Sequence, residues 1–393
     1  MSSSSGLVIR DPWYDWNTHP AFPNGANRAF QDRMGATLAD LGVRWVRCEF
    51  HIEGGDAEAE IARYDYFVNE VAPRHGIAVL ALLGFGLVRT MDPRALNDPL
   101  VSSDPIYGGG VNTFMRAWLD RARLVVRRYG GRISAYEILN EQNRLPPNGK
   151  PGVGGDAIAP AVAARLHTKF YRFFHQVDRQ GPGEEWRDVV PIISGGLHPA
   201  GTGTFRRPGY TSDIDYLRQL YASAPFAGYA QANGRFPLDG VGYHPYPVEI
   251  CVSLGRRPGM ADCVADDAGL ITQRLDQLRV ALRELGQPQA PFWITEIGCN
   301  AGYGRKTEAG QAEFLSSVMG LLARRPDVAQ SFWFKYEDFP PADGPNAQRW
   351  GVVRIPFVAP GSSPGGADYD IEGTPAHVRT AYSAFQQVAR IQT

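Results

Sequence analysis

Two glutamates stand where acids are expensive. The stretch 135–141 reads as a buried strand that closes on Asn140 and Glu141, and 292–297 reads as a second apolar strand carrying Glu296. An ionised carboxylate near a core is strongly disfavoured unless it is paired or hydrogen-bonded. Each acid is therefore either a structural one held by a buried arginine, with Arg47 the obvious partner, or a chemical one. Two carboxylates facing one pocket are what cleavage of a glycosidic bond requires. One is protonated to assist the departing oxygen; the other is ionised to attack the anomeric carbon or to activate water.

The surrounding pattern says how both acids could reach one place. Strand signals fall at 7–10, 43–50, 77–83, 133–140, 189–194, 240–246, 292–297 and 328–336. Helical periodicity falls at 27–41, 61–75, 113–129, 157–179, 212–221, 267–285, 307–324 and 375–390. Strands alternating with helices predict a parallel sheet. Eight alternations without a linker predict one (β/α)8 TIM barrel over 1–393, with 1–6 a flexible tail; an open doubly wound sheet is the alternative. Connections after helices are short, whereas those after strands are long and aromatic. In barrels of this kind the site is built from the loops after the strands, so Glu141 and Glu296 would meet at the mouth from strands four and seven.

Composition excludes several classes. Lys and Arg number 40 against 41 Asp and Glu, so no basic field draws nucleic acid or an anionic membrane. No apolar run approaches the roughly 18 residues a membrane helix needs. The first six residues lack the charged start and apolar stretch of a signal peptide. Of the four cysteines, Cys48 and Cys299 sit in apolar strands and read as buried thiols, whereas Cys251 and Cys263 share one Gly/Pro-rich segment. A disulfide between the latter two would suit a secreted or periplasmic protein. No cysteine–histidine spacing indicates zinc. His51, His75, His167, His198 and His244 form no ligand-spaced pair, so no metal or other cofactor is expected.

The motifs also carry a family resemblance. Glu137 to Asn143 resembles the Asn-Glu-Pro signature of glycoside hydrolase clan A, and Gly242 to Tyr246 resembles its sixth-strand His-x-Tyr motif. Trp293 to Gly298 is similar to the clan's seventh-strand nucleophile motif, Phe332 to Phe334 to its eighth-strand tryptophan segment, and Val43 to Arg47 to its second-strand arginine segment. These fall in the clan's order and span most of the chain. The stretch 61–83 most resembles family 39 and related bacterial exopolysaccharide glycosidases, with family 5 next.

The resemblance implies a retaining hydrolase of β-type glycosidic bonds, with Glu141 as acid/base and Glu296 as nucleophile. It further implies that Arg47 keeps Glu296 ionised, that Tyr246 steers its attacking oxygen and that Asn140 meets the sugar 2-hydroxyl. His244 shares a face with Tyr246 and would either orient neighbours or touch the sugar. Trp333 would lie under the sugar, an apolar ring face suiting its C–H groups, unless it is core. Trp13, Tyr14, Trp16 and Trp350 are candidates for outer subsites, and Glu49, Glu337 and Asp338 are reserve acids near strand ends. One departure stands out: Gln142 occupies the place of the signature proline. Neighbours in a regular strand face opposite sides, so the backbone must break if Asn140 and Glu141 are both to reach the pocket. A transglycosidase, a non-catalytic glycan-binding barrel and a metal-dependent hydrolase are the rival readings. Sugar identity, linkage and exo or endo action are not legible.

Overall fold

The computed structural model describes residues 4–12, 21–22, 27–52, 54–144, 156–177, 183–201, 211–253, 267–302, 307–340, 344, 347–358 and 369–392. Eight parallel strands close into a barrel in chain order. They are β1 (Ser4–Val8), β2 (Trp45–Glu49), β3 (Ala78–Leu83), β4 (Ala135–Ile138), β5 (Ile192–Leu197), β6 (Gly240–Tyr243), β7 (Phe292–Gly298) and β8 (Val328–Phe334). Helices lie between the strands, giving the (β/α)8 TIM barrel.

The first strand corrects the expected tail. Residues 4–6 belong to the barrel wall, with Ser4 to Leu7 paired against Gln330 to Trp333. The serines and glycine carry no apolar pattern to betray a strand. Their smallness is nonetheless required: a Cβ on Gly6 would lie 2.5 Å from a ring carbon of Phe332.

Alternation along each strand sorts side chains into two compartments. Val8, Leu80, Ala135, Ile193, Trp293 and Phe332 fill the barrel interior. Trp45 meets Trp293 and Phe332 edge-on, with ring centroids 5.7 and 6.4 Å away. The outward set, including Leu7, Val46, Val79, Tyr136, Ile192, Val241 and Ile294, packs on the helices. Two residues beyond Trp45 comes Arg47, and two beyond Ala135 comes Glu137. The apolar plug is thus followed by a layer of charge towards the carboxyl ends of the strands.

The helices begin and end where local chemistry dictates. Thr113–Tyr129 is capped by the Asn112 side chain, which accepts from Met115 N–H at 2.9 Å, and buries a stripe through Phe114, Trp118, Ala122, Val125 and Tyr129. Gly76 and Gly286 take left-handed backbone (φ 64° and 71°) at the returns into β3 and β7. The helix expected at 61–75 is instead Ala57–Ala62, a π-type turn at Phe67–Val71 and a last turn at Ala72–Arg74. Pro73, with no N–H to donate, sits in that last turn. Helices at Ala224–Asn233 and Pro247–Ser253 were not legible, because a proline opens each and reads as loop. The final helix is Thr380–Gln392, and His377–Val378 pairs antiparallel with Val353–Arg354.

Candidate active site

The break at the missing proline takes a definite form. β4 ends at Ile138, and Leu139 and Glu141 both adopt left-handed backbone, φ 71° and 45°. Such conformations cost a non-glycine residue energy and persist only where the surroundings hold them. Here Leu139 N–H donates to Leu83 O at 3.0 Å and Glu141 N–H to Gly196 O at 3.0 Å. Asn140 N–H donates to Asp156 Oδ2 at 2.7 Å, and Asn140 O accepts from Asp156 N–H at 2.7 Å. With the turn pinned on three sides, Ile138 and Leu139 both join the outer core, while Asn140 lines the pocket and Glu141 reaches His244 just past the end of β6.

Two bulges finish the geometry. From Ser194 to Leu197, β5 spends three steps against two on β6, and from Ile294 to Ile297, β7 spends three against two on β8. An extra residue re-aims the side chains around it. In β7 this leaves Ile294 and Ile297 both outward and lets Glu296 line the pocket. In β5 the extra space falls at Gly195–Gly196. A Cβ on Gly196 would lie 2.0 Å from His244 Nε2, and one on Gly195 would lie 2.0 Å from Leu139 O. Both glycines are therefore needed for His244 and the β4 turn to approach.

Arg47 is the electrostatic hub. Its Nε donates to Glu137 Oε2 at 2.5 Å, Nη1 to Glu296 Oε1 at 2.6 Å and Nη2 to Asn140 Oδ1 at 2.9 Å. Burial disfavours its charge, but Glu137 and Glu296 outweigh burial and hold the guanidinium cationic. Tyr246 donates its hydroxyl to Glu296 Oε2 at 3.0 Å. Burial, and then the charge of Glu296, push that phenol well above its usual range, so it remains a donor. Glu296 thus carries one strong cationic donor and one hydroxyl while remaining 13% exposed to the pocket.

Glu141 has a different setting. Its Oε1 lies 3.0 Å from His198 Nδ1 and 3.1 Å from His244 Nδ1, and its Oε2 accepts from Arg144 Nη1 at 2.5 Å. His244 Nε2 faces Thr295 Oγ1 at 2.9 Å, which fits a ring with Nδ1 protonated and Thr295 donating. Burial pushes the Glu141 carboxyl up, but the hydrogen bonds from His198 and His244 outweigh it and hold it well below the usual range. An oxygen of Glu141, an oxygen of Glu296 and a nitrogen of His244 lie within 4.8 Å of one another. That set offers donors to a cation, although Arg47 already supplies the positive charge that Glu296 faces.

A cavity of about 630 Å³ opens on Arg47, Asn140 and Glu296, whereas Glu141, His198, His244 and Tyr246 are not among the residues that line it. Elsewhere its lining includes Asp11, Glu49, His51, Phe334, Lys335 and Gln348. Glu49 is tied to His51 Nε2 at 3.1 Å, and His51 Nδ1 to Asp11 at 3.0 Å. Asp156, under the Asn140 turn, is pushed up to about 8 by burial and then by the charge of Glu49. Of the other reserve acids, Glu337 is buried on Lys335 at 2.7 Å and Asp338 is held by Arg379.

Trp333 does not lie under the pocket. It is fully buried in the outer layer, its ring 6.0 Å from that of Phe314 on the helix Glu308–Ala323. Alternation sends Phe332 inward below it and Phe334 into the pocket above it. The aromatic ring on the pocket is instead Phe334, which meets Trp350 with centroids 5.6 Å apart, and Trp350 in turn meets Tyr246 at 6.2 Å. Trp13, Tyr14, Trp16 and Cys263 lie outside the described residues, and with Cys263 goes the expected disulfide to Cys251.

Residues 271–348, which carry Glu296 and β8, match the family model described as the glycosyl hydrolase catalytic core. No curated protein sequence matches the chain. A family 39 glycoside hydrolase from the gut symbiont Bacteroides cellulosilyticus superposes with a TM-score of 0.55 at 16% identity, over 98% of this chain and 63% of that one. A glycoside hydrolase family 5 structure from Streptomyces cattleya in complex with GlcNAc gives 0.58 at 15%, over 100% of this chain and 80% of that one. Aphid myrosinase gives 0.57 at 13%, over 99% and 98%. What the chain shares with these structures is the fold. The chain spans less than two thirds of the length of the family 39 structure.

Three contributors to this site escaped the sequence reading. Glu137 is fully buried on Arg47 and also accepts Gly196 N–H at 3.0 Å. An acid inside an apolar run, two residues after inward Ala135, was its signal. Arg144 and His198, both on Glu141, lie in loops, where no periodicity marks them. Among the described residues no helix is long and apolar enough to cross a membrane.

Proposed function

We propose that this chain is a retaining glycoside hydrolase acting on β-type glycosidic bonds of an oligo- or polysaccharide. The observation that carries the reading is the pair of close carboxylates with oxygens within 4.8 Å, held by dissimilar partners. A separation of roughly 5 to 5.5 Å between carboxyl groups suits direct attack, whereas inversion needs room for a water between them. Glu296, flanked by Arg47 and Tyr246, attacks the anomeric carbon. The bond to the departing oxygen breaks as that oxygen takes a proton from Glu141. Water then gives a proton to Glu141 and attacks the anomeric carbon, and the ester to Glu296 breaks. Two displacements restore the starting configuration. Asn140, polarised by Arg47 at its oxygen, presents its amide N–H groups towards the sugar. The names of the similar structures join this barrel to sugar chemistry and support the substrate class. The test is a panel of 4-nitrophenyl and 2,4-dinitrophenyl β-glycosides and β-linked polysaccharides with the wild type and Glu141→Gln in parallel. Hydrolysis by the wild type, with Glu141→Gln failing most on poor leaving groups, is expected; no hydrolysis of any member overturns the proposal.

A further inference from the structure

His198 stands between two acids. Its Nδ1 is 3.0 Å from Glu141 Oε1, and its Nε2 is 3.6 Å from Glu249 Oε2 on the helix Pro247–Ser253. Its side chain is only 8% exposed. The backbone beneath is clamped by Asn143, which accepts His198 N–H at 2.9 Å and donates to His198 O at 2.7 Å. Asn143 lies two residues past Glu141, so one turn both presents the carboxylate and fixes its imidazole partner. His244 reaches the same Glu141 oxygen but has a neutral hydroxyl, Thr295, on its far side. Glu296 Oε2 lies 3.7 Å from His244 Nδ1, the same nitrogen that faces Glu141, whereas in His198 the second carboxylate faces the opposite nitrogen. The charged and titratable groups facing this pair among the described residues include Arg144 from the β4 turn, His244 after β6, Glu249 and Glu296 from β7, an oxygen of which lies within 4.8 Å of one of Glu141.

We propose that His198, backed by Glu249, holds the proton that Glu141 delivers, and so sets the upper pH limit of its action as an acid. This rests on the glycosidase reading above. His198 touches no reacting atom; it is a positioning residue that acts through Glu141. A single proton moves between His198 Nδ1 and Glu141 Oε1. When the glycosidic C–O bond breaks, that proton goes to the departing oxygen, leaving neutral His198 and ionised Glu141. The attacking water returns a proton to the pair in the second step. Burial opposes the charged ring, yet Glu141 and Glu249 raise His198 above its ordinary value, which supports the assignment. Coupled groups of this kind titrate as a pair, and the last proton leaves at a pH above that of either site alone.

The test uses two variants. His198→Asn keeps an amide donor near the Nδ1 position but removes both the titration and the link to Glu249. With a poor leaving group, the basic limb of its kcat/KM profile should move down by about one pH unit or more. Independently of turnover, the imidazole nitrogen NMR titration of His198 should fall by about one unit in Glu249→Gln. A His198→Asn profile that is merely scaled, with its basic limb unmoved, overturns the proposal, as does an unmoved His198 titration in Glu249→Gln. If the wild type hydrolyses no glycoside, the glycosidase reading fails and the acid role falls with it. The NMR titration alone still reports whether His198 and Glu249 are coupled.

Discussion

Replacing Arg47 by Met should destabilise the protein by about 3–5 kcal/mol at neutral pH, the usual cost of removing one partner from a buried ion pair. The number follows from what is left behind. Glu137 is fully buried, its two bonds to Arg47 vanish, and among the described residues the Gly196 N–H at 3.0 Å is what remains. Glu296 would keep Tyr246. Urea unfolding followed by tryptophan fluorescence would report the difference. The gap between wild type and variant should narrow on acidification. An unpaired buried carboxyl has a raised folded pKa, so its folded state is favoured below the unfolded value of about 4.3 and penalised above it. Adding Glu137→Leu should restore most of the loss, since the stranded charge is then gone. A loss under about 1 kcal/mol, or no recovery in the double variant, would refute the account of Arg47 as the hub.

Three further outcomes are expected. Tyr246→Phe removes a hydrogen bond to a charged group worth about 1.5–3 kcal/mol, so kcat/KM should fall about 10- to 150-fold with the fold intact by circular dichroism. Gly196→Ala places a methyl against the His244 ring and should cost about 1–3 kcal/mol in thermal or urea unfolding, with activity falling too. His167 is buried against Phe226, and burial lowers it to about 3. Its folded value lies below the unfolded one, so its contribution is present above about pH 6.5 and is lost as pH falls towards 3. The slope is up to about 1.4 kcal/mol per pH unit, and His167→Leu should flatten it in unfolding titrations.

The fold was largely legible because alternation and turn chemistry are local. β3 is a continuous apolar run, helices start at residues such as Asn112, and glycines such as Gly76 and Gly286 punctuate the returns. Glu141 and Glu296 were legible for a related reason: each is an acid at the end of an apolar run. What was hidden is where a strict two-residue period fails. The left-handed Leu139 and Glu141 carry no glycine to announce them, and their conformations are held by bonds to residues far along the chain. The β5 bulge was hinted at only by the pair Gly195–Gly196. Trp333 was misjudged because its chemistry suits a sugar platform. Parity with inward Phe332 puts it on the outer face and gives the pocket to Phe334. His198 had no signal at all, since its partner Glu141 comes from another strand and its anchor Asn143 from the same distant turn.

The central claim, that Glu296 is the nucleophile of a double displacement, is tested most directly by azide rescue of Glu296→Ala on an activated aryl β-glycoside. Hydrolysis should collapse in this variant, and azide should restore release of the aryl group. The glycosyl azide product would carry the anomeric configuration opposite to the substrate. Undiminished hydrolysis by Glu296→Ala, or an azide product of retained configuration, would contradict it.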